Sequence, residues 1–298
     1  MHTDTTRQEP DTRQTSGHFS TTTRELSATA PITDDALTER SKKIWSAGEY
    51  DRVAAGFRHE AEAFVARLEL TPTLQVLDVA SGSGNLTIPA ARTGAAVTGF
   101  DLVASLLTQA SEWAEREELI IALDQGNAEQ LPYDDAQFDV VMSMFGIMFA
   151  ARPDKVISEL TRVTRKGGRV ALANWTRSGF VGQMFGLHGK FAPPPADAPS
   201  PLLWGDAEVL HERFDARDWK LRLTPRVLEF RYPVTPAESA KLFMDTYGPT
   251  IMTIARLDHE QRVEFTRQLI AQWTSKQKSD GRTTVVESEY LEVIATRR

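Results

Sequence analysis

The sequence has no cysteine among its 298 residues. This absence excludes disulfides, thiolate metal sites and cysteine nucleophiles. Long apolar runs are also missing, so no segment has the length and composition of a membrane span. The N-terminus is polar, lacks the apolar stretch of a signal peptide and is too acidic for a transit peptide. Together these absences predict a soluble, cytoplasmic protein.

Clustered positive charge is the next absence. The chain carries 34 Lys and Arg against 41 Asp and Glu, a net charge of −7, with no basic run. Nucleic acids and anionic membranes bind through clustered Lys and Arg, so we expect neither as a partner. The sequence also has no His-x-x-x-His pair and no carboxylate triad, so we expect no metal site. A small molecule is the predicted partner, and these features leave the oligomeric state open.

A short apolar run followed by a glycine-rich turn organises what is present. The run, residues 74–79, has the pattern of a buried parallel strand. It stops at Ser81-Gly82-Ser83-Gly84, and a helical pattern resumes at Leu86. Glycine allows a tight turn close to a ligand, and the following helix directs its positive end at that ligand. Strand, turn and helix indicate the start of a nucleotide-binding βαβ unit.

Two carboxylates accompany this turn. Asp78 stands at the end of the first strand, immediately before the turn, and Asp101 ends the next apolar run, residues 95–101. Asp101 lies at about the spacing at which an acidic residue accepts hydrogen bonds from ribose hydroxyls. Two further segments, 126–133 and 138–143, follow in order. With all of these motifs, the chain resembles the class I S-adenosylmethionine-dependent methyltransferases, particularly the quinone-biosynthesis type and its small-molecule relatives.

The resemblance runs from about residue 50 to residue 175 and implies roles for individual residues. Many relatives carry glycine where this chain has Ala80 and Asn85, and alanine is small enough to keep the turn. For Asp78 two roles stay open, binding the cofactor's amino group and orienting the turn by hydrogen bonds. The cofactor-binding residues implied for S-adenosylmethionine are Asp78, Ala80, Gly82, Gly84 and Asn85 on the first turn, Asp101 at the ribose, Leu102, Asn127 and Ala128 at the adenine, and Ser143 at the methionine end.

Strand and helix patterns alternate along the chain and predict the fold. Helices are expected at 103–117, after Pro153 and at 207–214, and capping boxes at Thr235 and Asp258 indicate two more. Lys166-Gly167-Gly168 has the pattern of a helix stop. The expected strands are 119–123, 138–144, 169–175, 226–232 and 290–296, with a short one possible at 283–286. The predicted fold class is α/β: a doubly wound, seven-stranded, mostly parallel Rossmann-like sheet with helical insertions forming a substrate cover.

Composition divides the chain into a tail and one domain. Residues 1–33 are polar and nearly empty of large apolar residues, which predicts a disordered tail. Residues 34–298 are the predicted methyltransferase domain, with a core at about 70–175. Segments at about 34–68, 178–216 and 236–279 are the expected substrate cover.

An apolar stripe follows the fourth strand, and the insertions add large apolar residues. Packing in a plain core and lining a substrate pocket are both consistent with this pattern. If it lines a pocket, the acceptor is small and largely apolar or aromatic. The candidate pocket residues are Trp45, Tyr50, Met144, Phe145, Met148, Phe185 and Trp204.

Methyl transfer needs little from the protein beyond positioning, because the sulfonium already carries an activated methyl group. A general base is required only when the acceptor loses a proton. His188, inside an apolar insert, is the candidate base among the histidines.

Three functions are consistent with this sequence. The first is methyl transfer from S-adenosylmethionine to an O, N, C or S atom of a small molecule. The second, an NAD(P)-dependent oxidoreductase, is disfavoured because Thr87 stands at the third glycine position of Gly-x-Gly-x-x-Gly and no Tyr-x-x-x-Lys pair occurs. The third is a methyltransferase-like scaffold that binds the cofactor without activity.

Overall fold

The computed structural model describes Met1 and residues 36–195 and 198–298. Apart from Met1, the predicted tail lies outside the described residues. Seven strands form one sheet: β1 (Gln75–Val79), β2 (Ala96–Asp101), β3 (Ala122–Gln125), β4 (Phe138–Met144), β5 (Thr164–Trp175), β6 (Trp219–Tyr232) and β7 (Thr284–Arg297). Their order is β3-β2-β1-β4-β5-β7-β6.

The first five strands pair in parallel, and β7 runs antiparallel between β5 and β6. The strand order reverses between β1 and β4, which is where open parallel sheets bind their ligands. The prediction of a seven-stranded, mostly parallel sheet is confirmed.

Helices cover the sheet and extend beyond its ligand-binding edge. They are α1 (Ala36–Ser46), α2 (Tyr50–Ala54), α3 (Arg58–Arg67), α4 (Thr87–Ala91), α5 (Ala104–Arg116), α6 (Pro153–Val163), α7 (Phe180–Phe191), α8 (Ala207–Arg213), α9 (Pro236–Thr246), α10 (Gly248–Ile254) and α11 (His259–Lys276). No helix in the described ranges is long and apolar enough to cross a membrane. The capping boxes predicted at Thr235 and Asp258 are both present.

Helix α1 is held against the later helices by close backbone contact. The Glu49 N–H donates to the Thr246 carbonyl at 2.9 Å. A Cβ on Gly248 would lie 2.0 Å from the Ile44 carbonyl oxygen, so only glycine allows this approach. The helices α7, α9, α10 and α11 pack on one another, and α1 packs on α10. The first helix and the insertions therefore form one assembly over the sheet edge.

Several predicted boundaries are wrong. Strand β3 begins at Ala122 rather than at residue 119, and Ile120 is 90% exposed. Helix α6 ends at Val163, and the predicted stop at residues 166–168 lies within β5. There Gly167 adopts φ +75° and the pairing register with β4 shifts, so the glycines form a bulge rather than a helix cap.

The two C-terminal strands are longer than predicted. They pair with each other continuously from Trp219 opposite Arg297 to Tyr232 opposite Thr284. The two short predicted strands at 283–286 and 290–296 are therefore one strand, β7. Pro225 within β6 hid that strand's first half, and an edge strand tolerates a proline.

Candidate functional site

The turn between β1 and α4 has the geometry of a ligand cradle. Ala80, Gly82 and Gly84 adopt φ values of +56°, +55° and +95°. A Cβ on Gly82 would meet only Tyr50 Cδ1, at 4.0 Å, so the space above this residue is open. A Cβ on Gly84 would lie 3.2 Å from both Ala110 Cβ and Ile88 Cγ1. Gly82 therefore admits a ligand, whereas Gly84 permits helix packing.

A cleft of about 110 Å³ opens above this turn, and we call it the inner cleft. The carboxyl ends of β1, β2 and β4 form its floor, and residues of α1 and α2 form its roof. Of the residues predicted from the sequence, those that line it are Trp45, Tyr50, Asp78, Ala80, Gly82, Asn85, Asp101, Leu102, Asn127, Ala128, Met144 and Phe145.

Asp101 is held by backbone donors at the end of β2. Its Oδ2 accepts from the Gly82 N–H and its Oδ1 from the Val103 N–H, both at 2.8 Å. Burial raises the pKa of Asp101 to about 6, against the opposing effect of these hydrogen bonds. The carboxylate is thus positioned before any ligand arrives, at the rim of the cradle.

Asp78 lies deeper, beneath the turn. Its Oδ2 accepts from the Thr87 hydroxyl at 2.6 Å, which ties the strand to the first residue of α4. Burial, with the nearby Asp101 charge adding to it, raises the pKa of Asp78 to about 7. Of the two roles left open by the sequence, orienting the turn has this hydrogen bond in its favour.

Two buried polar atoms of residues in the cleft wall have no hydrogen-bond partner within the described part of the chain. They are Ser81 Oγ and Asn85 Oδ1, which flank Gly82 on the same loop. Buried polar atoms are rarely left unpaired, so such a pair beside an open cradle indicates a ligand that supplies the partners. Ser81 was not among the residues predicted from the sequence.

The far end of the cleft is built around Asn127. Its Nδ2 donates to Thr38 Oγ1 at 3.3 Å, and its Oδ1 accepts from the Glu129 N–H at 3.0 Å. Glu129 in turn accepts from the backbone N–H of Arg152 at 2.8 Å and forms an ion pair with its side chain. Asn127 therefore connects the roof helix α1 to the loop after β3.

Strain marks the end of β4. Phe145 is a non-glycine residue at φ +56°, a conformation that costs on the order of 1–3 kcal/mol. Its ring stacks on Trp175 with centroids 3.5 Å apart, and its N–H donates to the Ala173 carbonyl at 2.9 Å. These contacts hold the strained residue in place in the cleft wall, as is common at functional sites.

A second and larger cavity adjoins the inner cleft. It has a volume of about 790 Å³ and shares Ser41, Trp45 and residues 149–151 with the cleft. Its other walls come from α1, α7, α10 and the proline-rich segment after α7. We call it the outer chamber. Phe185, a predicted pocket residue, lines this chamber and not the cleft.

His188, the candidate base, also lies in the chamber wall. It is buried, its Nε2 is 3.1 Å from Thr250 Oγ1, and its ring stacks on Phe265. Burial lowers the pKa of His188 to about 3. The imidazole is therefore neutral near pH 7 and is too weak a base to take up a proton effectively.

Four predicted site residues line neither cavity. Gly84 packs against α5, and Ser143 is buried, with its hydroxyl accepting from the Ile147 N–H at 3.3 Å. Met148 is 2% exposed, and Trp204 is fully buried beneath the Arg213 guanidinium. The structure therefore places both Met148 and Trp204 in the core rather than in a pocket. For Trp204 the reason is that the short 3-10 helix carrying it packs on β5.

Several lining residues were not among those predicted from the sequence. Thr38 and Ser41 line the cleft from α1, and with Trp45 they recur at i, i+3 and i+7 on one helix face. That spacing was readable, but two hydroxyl residues on a surface helix carry no signal for a ligand. Glu129 reaches the cleft through tertiary packing alone, whereas Phe149, which also lines it, belongs to the apolar stripe predicted after the fourth strand.

Known proteins are similar to this chain over the region that carries these motifs. A family model described as "Methyltransferase domain" matches residues 77–172. An uncharacterised protein of Mycobacterium tuberculosis is 33% identical over 269 residues, covering 89% of this chain and 97% of that protein. The ubiquinone/menaquinone biosynthesis C-methyltransferase of Bdellovibrio bacteriovorus is 43% identical over 98 residues, which is 32% of this chain and 42% of that protein.

Solved structures share the fold. The YcgJ protein of Bacillus subtilis has a TM-score of 0.57 at 16% identity and covers 80% of this chain and 99% of its own. A putative methyltransferase from Bacillus halodurans has a TM-score of 0.55 at 19% identity, covering 79% and 97%. At these identities the likeness is one of fold.

Proposed function

Because the chain belongs to the class I S-adenosylmethionine-dependent methyltransferases, we propose that its inner cleft holds this cofactor and that a small, largely apolar or aromatic acceptor reaches it from the adjoining outer chamber. The acceptor atom is O, N, C or S. In this proposal residues 34–298 form the catalytic domain, the core at about 70–175 binds the cofactor, and the helices around it cover the acceptor.

The cradle at Gly82 is the observation that carries the proposal. The loop is open above Gly82, and Asp101 is held by the Gly82 and Val103 amides. Ser81 Oγ and Asn85 Oδ1, on the same loop, have no partner among the described residues. Among the residues that the structure describes, the cleft lining includes three carboxylates, Asp78, Asp101 and Glu129, and no Lys, Arg or His. A ligand carrying sulfonium and ammonium charges, ribose hydroxyls and an adenine fits this donor and acceptor set.

When bound, S-adenosylmethionine supplies an activated methyl group on its sulfonium. Of this chain's residues, Asp101 accepts hydrogen bonds from the ribose, Asn127 and Ala128 hold the adenine, and Asn85 and Ser81 pair with the methionine end. Trp45 and Phe149, 4.7 Å apart at their ring centroids, lie where cleft and chamber meet and exclude water there. Positioning then accounts for much of the rate.

No protein base is assigned to the reaction. His188 is neutral and weakly basic, so the proposal favours an acceptor that reacts without losing a proton to it. The oxidoreductase alternative finds no support. Thr87, at the position of the third glycine, is occupied in its hydrogen bond to Asp78.

Titration calorimetry with S-adenosylmethionine, S-adenosylhomocysteine, NAD and NADP tests the cofactor assignment. We expect both adenosyl compounds to bind and neither nicotinamide to do so. Binding of NAD with no binding of the adenosyl compounds would contradict the proposal. Tight S-adenosylmethionine binding with no methyl transfer to any of a broad acceptor panel would favour the scaffold function instead.

A further inference from the structure

The two cavities carry opposite charges. The outer chamber is lined by four cationic side chains, Arg40, Lys43, Arg177 and Arg256, and by no Asp or Glu among the described residues. The inner cleft beside it shows the reverse, since its described lining has carboxylates and no Lys or Arg. In a chain with a net charge of −7, composition alone does not lead to four cations and no acid among the described lining residues.

The four cations come from three separate parts of the chain. Arg40 and Lys43 are on α1, whose chamber-facing side also carries Ile44. Arg177 follows the end of β5, and Arg256 follows α10. Residues distant in sequence thus line one cavity. Basic residues that happened to share one helix face would not give this arrangement.

These charges are not balanced by carboxylates. Within the described ranges none of the four forms an ion pair, although the Arg256 guanidinium donates to the Pro193 carbonyl at 3.3 Å. By contrast, Arg58, Arg67, Arg92 and Arg162 elsewhere in the chain each pair with an acid. Like charges around one cavity repel one another, and an anionic ligand would remove that repulsion.

Apolar surface continues from the chamber to the cleft. Trp45 and Phe149 line both cavities, and Phe185 packs edge-on against Phe149 with centroids 5.8 Å apart. A molecule in the chamber would therefore meet cations on some walls and aromatic rings on the wall nearest the cleft.

We infer that the methyl acceptor is an amphipathic anion, an organic carboxylate or a phosphate monoester with an apolar or aromatic body. Its anionic group lies among Arg40, Lys43, Arg177 and Arg256, and its body extends past Phe185 to Trp45 and Phe149. This inference rests on the proposed function and names the substrate class of the same site. The separation of charge suits the reaction, because a cationic cofactor and an anionic acceptor each lie in a cavity of opposite sign.

The test compares two probes that differ only by a sulfonate group, 1-anilinonaphthalene-8-sulfonate and the uncharged N-phenyl-1-naphthylamine. Fluorescence titration is made on the full chain, with and without S-adenosylhomocysteine. The variant replaces all four cations with glutamine (Arg40→Gln, Lys43→Gln, Arg177→Gln and Arg256→Gln). The matched control is Lys220→Gln with Arg222→Gln, two exposed cations on β6.

We expect the variant to raise the Kd of the sulfonate at least about tenfold, because charge-assisted contacts are lost, and to change that of the uncharged probe by less than about twofold. The control should change neither. Displacement of the sulfonate by 1-naphthoate and by 1-naphthyl phosphate then distinguishes a carboxylate acceptor from a phosphate monoester. The compound that competes more strongly carries the preferred anionic group. Equal displacement by the uncharged 1-naphthol would overturn the inference, as would an unchanged Kd for the sulfonate.

Two features keep the outcome interpretable. The four side chains are exposed or half-buried, so glutamine leaves the core intact, and the double variant Arg40→Gln with Arg177→Gln serves if the fourfold variant does not fold. For this double variant an increase in Kd of about threefold or more is expected for the sulfonate alone. If the wild-type chain does not bind S-adenosylhomocysteine, the result would count against the proposed function. An unchanged sulfonate Kd beside normal cofactor binding would count against the anionic acceptor only.

Discussion

Asp101 is the residue on which the cofactor assignment depends most. Its carboxylate is oriented by the Gly82 and Val103 amides at 2.8 Å, so it does not need to reorganise when a ribose arrives. Asp101→Ala should weaken S-adenosylmethionine binding by about 1.5–3 kcal/mol, the range for a lost charge-assisted hydrogen bond. Calorimetry on the folded variant measures this, with the exposed Asp245→Ala as control. An unchanged affinity would remove Asp101 from the ribose site.

Gly82 and Gly84 make a useful pair for comparison, because both have a positive φ and they have different neighbours. Gly82→Val should abolish S-adenosylhomocysteine binding, since its side chain projects into the cleft, and should lower the free energy of unfolding only by the backbone strain of valine at φ +55°. Gly84→Val should instead lower the free energy of unfolding, because its Cβ meets Ala110 and Ile88. Thermal unfolding and calorimetry on both variants separate these outcomes. Normal binding by Gly82→Val would mean that the loop is only a structural turn.

Asp78 should make the free energy of unfolding depend on pH. Burial raises its pKa to about 7, whereas in the unfolded chain it titrates near its ordinary value of about 4. The folded state therefore holds an extra proton between these values, and the stabilisation present below about pH 4 is lost as the pH rises through about 7. Relative to Asp78→Asn, the free energy of unfolding of the ligand-free protein should fall by about 2–4 kcal/mol over this range. Urea titrations at several pH values measure it, and parallel pH curves for the two proteins would show that Asp78 is not protonated in the fold.

At the scale of elements, the sequence predicted the βα core well and the connections less well. Strand β4 matches its predicted bounds because a short, mostly apolar run between polar segments has the length of a strand and not of a helix. Strand β6 was predicted at half its length, because Pro225 interrupts its alternating pattern and a proline within such a run counts against a strand. The position of β3 was misjudged because Leu119 and Ile121 are apolar residues of a loop that only pack against the core from outside the strand.

The site was predictable where a motif placed a residue at a strand end. Asp78, Asp101 and Asn127 were found in this way, and all three line the cleft. Thr38, Ser41 and Ser81 were missed, because their part in the cleft depends on the roof helix and on which hydroxyl is left unpaired. Trp204 shows the opposite failure, since a large aromatic residue in an insertion has the same sequence signature in a pocket as in a core.

We expect opposite effects from replacing an aromatic residue on α7, Phe185, and one on the 3-10 helix after it, Trp204. Phe185→Ala should change turnover or acceptor preference and leave S-adenosylmethionine affinity within about threefold, because Phe185 lines only the chamber. Trp204→Ala should cost about 3–5 kcal/mol of stability without changing acceptor preference, because Trp204 is fully buried in the core. Denaturant unfolding and steady-state kinetics distinguish them. A change of acceptor preference in Trp204→Ala alone would mean that the insertion shapes the pocket through Trp204.

At the scale of the molecule, the sheet edge and its helical cover form two adjoining cavities. The ends of β1, β2 and β4 form an acidic cleft, and α1, α7 and α10 enclose a basic chamber. Trp45 and Phe149 stand at the junction of the two. Cofactor and acceptor therefore approach each other from opposite sides of this aromatic pair.

The crystal structure of the complex with S-adenosylhomocysteine tests this account most directly. We expect the adenosine at Asp101, Leu102 and Asn127, the homocysteine amino group near Asn85, and the sulfur directed at the junction between Trp45 and Phe149. The chamber would then be open to the sulfur. A ligand bound elsewhere, or one whose sulfur faces away from the chamber, would contradict the account.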